Sequence, residues 1–174
     1  MKQGKQFEVR DADASEYTLI EEVTQAAYEE YATVMPEPLW EVYWLHVLAT
    51  LKEKGQVERL VAMDISGIVG SVLLYPPLAN AYDGVTVTAS MPEVRLLAVL
   101  PRARGQGVGT ALMDGCMRRA RHMGATQLGL HTMEVMQAAV HMYKRMGFVH
   151  TPSLDFRPTE NVLVKGYRRR LDAG

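Results

Sequence analysis

In this 174-residue chain, the stretch whose residue types and spacing could do chemistry is Val99-Leu100-Pro101-Arg102-Ala103-Arg104-Gly105-Gln106-Gly107-Val108-Gly109-Thr110. An apolar run enters a turn holding Gly105, Gly107 and Gly109, and the turn opens a helical pattern. Glycine tolerates positive φ and lets another group approach the backbone closely. The first turn of a helix presents unpaired N–H groups and a partial positive charge. Together these make a cradle for a phosphate or pyrophosphate, with Arg102 and Arg104 supplying mobile positive charge beside it. A Walker-type loop would end in Gly-Lys-Ser/Thr, and Gly109-Thr110-Ala111 lacks the lysine. A dinucleotide fingerprint starting at Gly105 would need Gly or Ala where Thr110 stands. It would also need an acid at the end of the next strand, which reads Thr126-Gln127-Leu128-Gly129-Leu130-His131. Both nucleotide readings therefore fit poorly. The plain alternative is a tight strand-to-helix turn with no ligand.

The elements that must position this turn follow from hydropathy periods. Residues 6–10 alternate as a short strand. Asp13-Ala14-Ser15-Glu16 has the form of a capping box, and Leu19, Ile20, Val23, Ala26 and Ala27 continue at helical spacing to about Ala32. Met35-Pro36-Glu37-Pro38 breaks that helix. Trp40, Tyr43, Trp44, Val47, Leu48 and Leu51 mark a second one. Residues 58–63 and 67–75 read as a hairpin, followed by a turn-rich loop from Pro76 to Gly84. Residues 93–99 form a strand that feeds the glycine turn. A helix then runs from about Gly107 to Met123, ended by Gly124, with Val108, Ala111, Leu112, Cys116 and Ala120 on its apolar side. Residues 126–131 form a strand. Val135, Ala138, Ala139, Met142, Tyr143 and Met146 make the last helix, capped by Gly147 with Phe148 packing back. Strands at about 148–151 and 161–168 finish an α+β layered fold with a mixed sheet.

Composition sets the class. The apolar fraction of 48% and charged fraction of 22% are those of a globular protein, which excludes a disordered tail or a fibre. A lone Cys116 excludes an internal disulfide. No apolar run approaches the ~20 residues of a membrane span. The opening Met1-Lys2-Gln3-Gly4-Lys5-Gln6 lacks a signal-peptide core. The expectation is a soluble, cytoplasmic single domain over residues 1–174, with no membrane partner. The net charge of −1 conceals a split: residues 1–93 hold 6 basic and 15 acidic residues, residues 94–174 hold 13 and 5. Two partners of opposite charge fit this better than one nucleic acid. Arg168-Arg169-Arg170 reads as a solvated tail. His122, His131 and His141 lack zinc-ligand spacing, so no metal is expected.

The stretch from about 93 to 150 resembles the GNAT superfamily of acetyl-CoA-dependent N-acetyltransferases. Arg104-Gly105-Gln106-Gly107-Val108-Gly109 is similar to that family's Arg/Gln-x-x-Gly-x-Gly/Ala signature. Leu97-Ala98-Val99-Leu100-Pro101 resembles its strand ending in proline, and Tyr143-Lys144-Arg145-Met146-Gly147-Phe148 its Tyr-x-x-x-Gly-Phe signature. The resemblance implies a mostly antiparallel sheet flanked by helices and splayed between the fourth and fifth strands. It implies a coenzyme A site with the pyrophosphate on backbone N–H groups of Arg104, Gly105, Gln106, Gly107, Val108, Gly109 and Thr110. The pantetheine arm would pair with Leu97 and Val99 beside Ala98, and Gln137 stands where many members carry an arm-binding Asn. It also implies a homodimer as one state open to the chain.

Acetyl transfer to an amine requires removal of an amine proton, stabilisation of charge on the thioester oxygen, and a proton for the leaving thiolate. By the resemblance, Tyr143 is the general acid and Glu93 the general base; the alternatives are a helix-anchoring tyrosine and a solvated or Arg95-paired glutamate. Strand alternation puts Glu93, Arg95 and Leu97 on one face. A backbone N–H near Leu97 or Ala98 would stabilise the oxyanion. Cys116, on an apolar face, reads as a core residue. The acceptor side is expected in the acidic, aromatic first half, which holds Trp40, Trp44 and six of the eight tyrosines, Tyr82 among them. Tyr31 and Glu37, near the Pro36 break, are the candidates for a cationic small-molecule or peptide amine. The bland reading makes Trp40, Tyr43, Trp44 and Val47 one core face. A non-catalytic acyl-CoA-binding module, or an acyltransferase using another acyl-CoA, is the alternative function.

Overall fold

A computed structural model describes residues 7–77 and 91–172. The Gln6 start of the first predicted strand, and the part of the turn-rich loop that carries Tyr82, lie outside these residues. The described elements run β1 (Glu8–Asp11), α1 (Tyr17–Tyr28), α2 (Glu37–Leu51), β2 (Glu58–Asp64), β3 (Gly67–Tyr75), β4 (Glu93–Val99), α3 (Val108–His122), β5 (Gln127–Thr132), α4 (Gln137–Arg145), β6 (Val149–His150), β7 (Phe156–Thr159) and β8 (Val162–Arg170). The strands form an open, mixed and mostly antiparallel sheet of order β1-β2-β3-β4-β5-β8-β6, with β7 on β8. The α+β expectation holds. The parallel register of β4 with β5 takes in Glu93↔Gly129 and Val94↔Leu130, at the start of β4. By internal contacts the chain forms two compact units, Met1–Leu73 with Leu96–Gly115, and Leu74–Arg95 with Cys116–Gly174.

In the first unit, β1 pairs antiparallel with β2 from Glu8↔Met63 to Asp11↔Leu60. The predicted capping box is present: the Ser15 N–H donates to Asp13 Oδ1 at 3.2 Å and the Asp13 N–H to Glu16 Oε2 at 2.8 Å. It caps a 3-10 turn, Ala14–Glu16, that leads into α1. Beyond Tyr28 the helix tightens to a 3-10 segment, Glu29–Thr33, matching the predicted extent with a tighter hydrogen-bond pattern. Helix α2 starts earlier than expected, at Glu37, because proline is tolerated in a first turn. The core takes Ile20, Val47, Leu60, Val69, Val72, Leu112 and Met113. Burial of each such side chain stabilises the fold by about 1.5–3 kcal/mol. Gly70 on β3 permits this packing: a Cβ there would stand 2.9 Å from Val108 Cγ1, 3.0 Å from the Ala98 carbonyl oxygen and 3.0 Å from Leu112 Cδ1.

In the second unit, β5 pairs antiparallel with β8 from Gln127↔Arg170 to Thr132↔Lys165. Gly124 takes φ +77° and the Ala125 N–H reaches back to Ala120 O at 3.0 Å, the glycine C-cap expected for α3. Helix α4 ends the same way: Gly147 has φ +83°, the Phe148 N–H donates to Tyr143 O at 3.0 Å, and the Phe148 ring lies edge-on to Tyr143. Two expectations change here. Strand β7 is not among the expected elements; it pairs with β8 in a separate two-stranded ladder, where Pro158 is tolerated at an edge. Arg168-Arg169-Arg170 is no tail. It belongs to β8, with Arg168 opposite Gly129 on β5 and Val149 on β6. The predicted strand at 161–168 runs two residues further, because Arg169 and Arg170 pair with Leu128 and Gln127 of β5.

Candidate functional site

The glycine turn has the geometry an anion cradle needs. Gly105 and Gly107 take φ +69° and +88°, and no neighbouring atom lies within 4 Å of a Cβ built on either. The Ala111 N–H donates to Gly107 O at 2.9 Å, so Gly107 is the N-cap of α3. The N–H groups of Val108, Gly109 and Thr110 therefore precede the helical ladder and are the donors a phosphate would take. The Val108 side chain is buried, which leaves its backbone as the part that can face a ligand. These residues fit a pyrophosphate-bearing group.

The two arginines beside the cradle are tied down, against the expectation of mobile charge. Arg104 donates to Glu30 Oε2 at 2.8 Å, to Ala27 O at 2.8 Å and to Val99 O at 3.3 Å. Arg102 donates to Ser66 Oγ at 2.8 Å and to Asp64 Oδ2 at 3.4 Å. Gln106 donates to the Arg102 carbonyl at 2.9 Å. Two pairings thus join the acidic first half of the chain to its basic second half, so part of the charge split is consumed inside the fold.

Strand β4 departs from a regular strand at Leu96, a non-glycine residue at φ +50°. Left-handed backbone at such a residue costs about 1–2 kcal/mol, and such strain collects at functional sites. It also interrupts the two-residue period, so alternation does not carry from Glu93 and Arg95 to Leu97. Just past it, Leu97 O accepts from the Tyr28 hydroxyl at 3.0 Å. The Val99 carbonyl accepts from Arg104, and the buried Ala98 packs beside them.

Around Tyr28 the aromatic side chains of the first half form a continuous run. Tyr28 meets Tyr31 edge-on at 5.5 Å and stacks with Tyr43 at 6.4 Å; Trp40 lies 6.2 Å from Tyr43 and stacks on Trp44 at 5.7 Å. Trp40, Tyr43 and Trp44 are half-buried, and of the predicted core face only Val47 is fully enclosed. Burial pushes the Tyr31 hydroxyl pKa up, aided by the Glu30 charge and opposed by Arg104. Glu37 is exposed in the first turn of α2.

In the second unit, Glu93 is 4% exposed and both of its oxygens are engaged. Oε1 lies 2.7 Å from His131 Nδ1, and Oε2 accepts from Arg95 Nη2 at 3.2 Å. His131 Nε2 lies 2.8 Å from Leu154 O, and the Arg95 guanidinium sits 4.2 Å above the Tyr75 ring. Tyr143 is the buried residue of α4, while Gln137 is exposed and donates to Glu134 O at 2.8 Å. Sequence reasoning missed His131, Tyr75 and Tyr28 as partners of site residues. No local signal could have found them, because 38 residues separate Glu93 from His131 and 69 separate Tyr28 from Leu97. Among the described residues, no group of three or more His, Cys, Asp or Glu side chains is placed to hold a metal ion.

Comparisons with known proteins bear on the family and the fold. A stretch of 56 residues, 32% of the chain, is 39% identical to a mycothiol acetyltransferase of Propionibacterium freudenreichii, and covers 18% of that protein's length. Among solved structures, a "histone acetyltransferase HPA2 and related acetyltransferase" from Corynebacterium glutamicum aligns with TM-score 0.68 at 22% identity, covering 95% of this chain and 97% of that one. The yncA protein of Salmonella typhimurium, solved with acetyl-CoA, aligns with TM-score 0.61 at 16% identity over 97% and 95% of the two chains. The model of the acetyltransferase (GNAT) family matches residues 18–148, from α1 through the second signature, and the chain belongs to that family.

Proposed function

We propose that this chain transfers an acetyl group from acetyl-CoA to a primary amine, directly within a ternary complex. The observation that carries this reading is the glycine turn: Gly105 and Gly107 at positive φ, open space about both, and the first-turn N–H groups of α3. Backbone N–H groups from Arg104 to Thr110 hold the pyrophosphate, and the backbone of Leu97 and Val99, with the Gln137 amide, holds the arm. Arg102 and Arg104 act by bracing the turn. Bound acetyl-CoA supplies the acetyl group already activated as a thioester.

The chain manages the protons. The Tyr143 hydroxyl donates to the departing sulfur, which suits a phenol with a reference pKa of ~10. Glu93 takes the amine's proton. A backbone N–H of Leu97 or Ala98, next to the Leu96 irregularity, stabilises negative charge on the carbonyl oxygen. Tyr31 and Glu37 recognise a cationic acceptor through ring face and carboxylate.

Purified protein with acetyl-CoA and a panel of amines (a diamine, an aminoglycoside, an amino acid and a peptide N-terminus) tests the reading through thiol release. Release stimulated by one class of amine is expected. Acetyl-CoA binding without release by any amine overturns it in favour of a binding module. Tyr143→Phe is expected to lower turnover by roughly 10²-fold while leaving acetyl-CoA affinity within about twofold. Unchanged turnover removes the acid role.

A further inference from the structure

His131 has both ring nitrogens engaged inside the fold, and the chemistry of those two partners fixes a proton count. Leu154 O can only accept, so Nε2, 2.8 Å away, carries a hydrogen. That leaves Nδ1 to face Glu93 Oε1 at 2.7 Å. A bare Nδ1 lone pair and an ionised carboxylate oxygen would repel at this distance, whereas 2.7 Å is the length of a charge-assisted hydrogen bond. One proton therefore lies between them, whichever atom it rests on. The side chains are enclosed, at 6% and 5% exposure.

The surroundings limit what this pair can do. Arg95 donates to the other Glu93 oxygen from β4, with the Tyr75 ring of β3 beneath its guanidinium. Phe156 of β7 meets the His131 ring edge-on at 5.3 Å. On β8, Gly166 stands opposite His131 and Lys165 opposite Thr132, with Lys165 paired to Glu134. Asp155 accepts the Gly166 N–H at 2.8 Å and holds His150 at 3.0 Å. With its shared proton, the set Arg95–Glu93–His131 carries one positive charge. A second proton would make two positive charges in an enclosed site, which desolvation opposes. Glu93 thus already holds the proton it would be asked to accept.

We propose that Glu93 and His131 work as a single proton acceptor, with His131 the positioning residue that decides when the carboxylate can act. This rests on the reading of Glu93 as the base. The competent form is the pair after loss of its shared proton to solvent, with Glu93 ionised and His131 neutral with hydrogen on Nε2. An acceptor ammonium then gives up one proton, keeps its electron pair for attack, and restores the bond between Oε1 and Nδ1. Re-forming that charge-assisted bond is what the proton transfer from the ammonium gains. The pair returns the proton to water before the next turnover.

The test uses the full chain without acetyl-CoA, labelled with ¹⁵N-histidine, and His131 is identified by the signals lost in His131→Gln. The expected signature is hydrogen on Nε2 together with a strongly downfield proton on the Nδ1–Oε1 line. In Glu93→Gln that downfield proton disappears and His131 becomes a neutral ring. In the thiol-release assay, His131→Gln lowers kcat roughly tenfold, part of the ~10²–10⁴ that acid–base catalysis supplies, and leaves KM for acetyl-CoA within about twofold. Wild-type His131 with a bare Nε2, or a downfield proton that survives Glu93→Gln, overturns the shared proton even if the glutamine variant of His131 fails to fold. The signature with an unchanged kcat in folded His131→Gln overturns the positioning role. Unchanged turnover in Glu93→Gln overturns the base assignment itself, and is told apart because the spectrum does not depend on turnover.

Discussion

The hydroxyl of Tyr28, at the end of α1, donates to the carbonyl oxygen of Leu97 at 3.0 Å, one residue past the left-handed backbone of Leu96. This bond ties the aromatic run of the first half to the strand on which the cofactor arm is proposed to lie. Tyr28→Phe keeps the ring stack with Tyr43 and removes only the donor. A loss of about 0.5–1.5 kcal/mol is expected, lowering Tm by a few degrees, with weaker acetyl-CoA binding. Thermal melts and acetyl-CoA titration of the two proteins check it, and identical melting curves would count against the bond.

Gly107→Ala separates conformation from contact. A Cβ there meets no atom within 4 Å, but φ is +88°. The cost of about 1–2 kcal/mol is therefore backbone strain alone. If the turn relieves it by leaving the left-handed region, the cradle N–H groups turn away. Acetyl-CoA affinity is expected to fall about tenfold, measured by calorimetry, with a modest loss of stability.

Gly70→Ala acts through packing. The added methyl would press on Val108, Leu112 and the Ala98 carbonyl, all within 3.0 Å. Over-packing of this kind costs about 1–3 kcal/mol. Urea denaturation should show a lower midpoint, and Val108→Ala in the same chain should recover part of it, since Val108 Cγ1 is the nearest atom. Full recovery is not expected, because the Ala98 oxygen is backbone.

Acid should weaken the N-terminal cap in a defined window. The Arg10 guanidinium, and next the Asp13 N–H, hold the Glu16 carboxyl down to about 2 from an ordinary 4.5. A depressed carboxyl stabilises the fold fully above its unfolded value and loses that contribution as pH falls through the folded one. Wild type should therefore exceed Glu16→Gln in urea midpoint above about pH 4.5, with the gap closing toward pH 2. A gap independent of pH would show that the carboxylate charge is not its source.

Helix periods, the capping box at Asp13, the glycine ends at Gly124 and Gly147, and the glycine turn before α3 were all readable in the chain. Each depends on residues a few positions apart, whose spacing and allowed φ are written locally. The failures share a cause. Strand β7 and the last residues of β8 were not read, because those segments are strands only through the partners they pair with. The left-handed Leu96 carries no signal, since leucine does not favour that backbone.

The sequence by itself determined the family's local marks: a glycine turn on a helix N-terminus, followed by a tyrosine signature, in an α+β chain split by charge. Only the tertiary structure decided what the charged groups do. Arg104, expected to reach a cofactor, is bonded to Glu30 across 74 positions of the chain, and Glu93, read as a base, as solvated or as paired with Arg95, keeps the Arg95 pairing and gains His131 from 38 positions away. The physical reason is that a charge leaves water only with a partner, and which partner reaches it is set by long-range packing that no local period encodes.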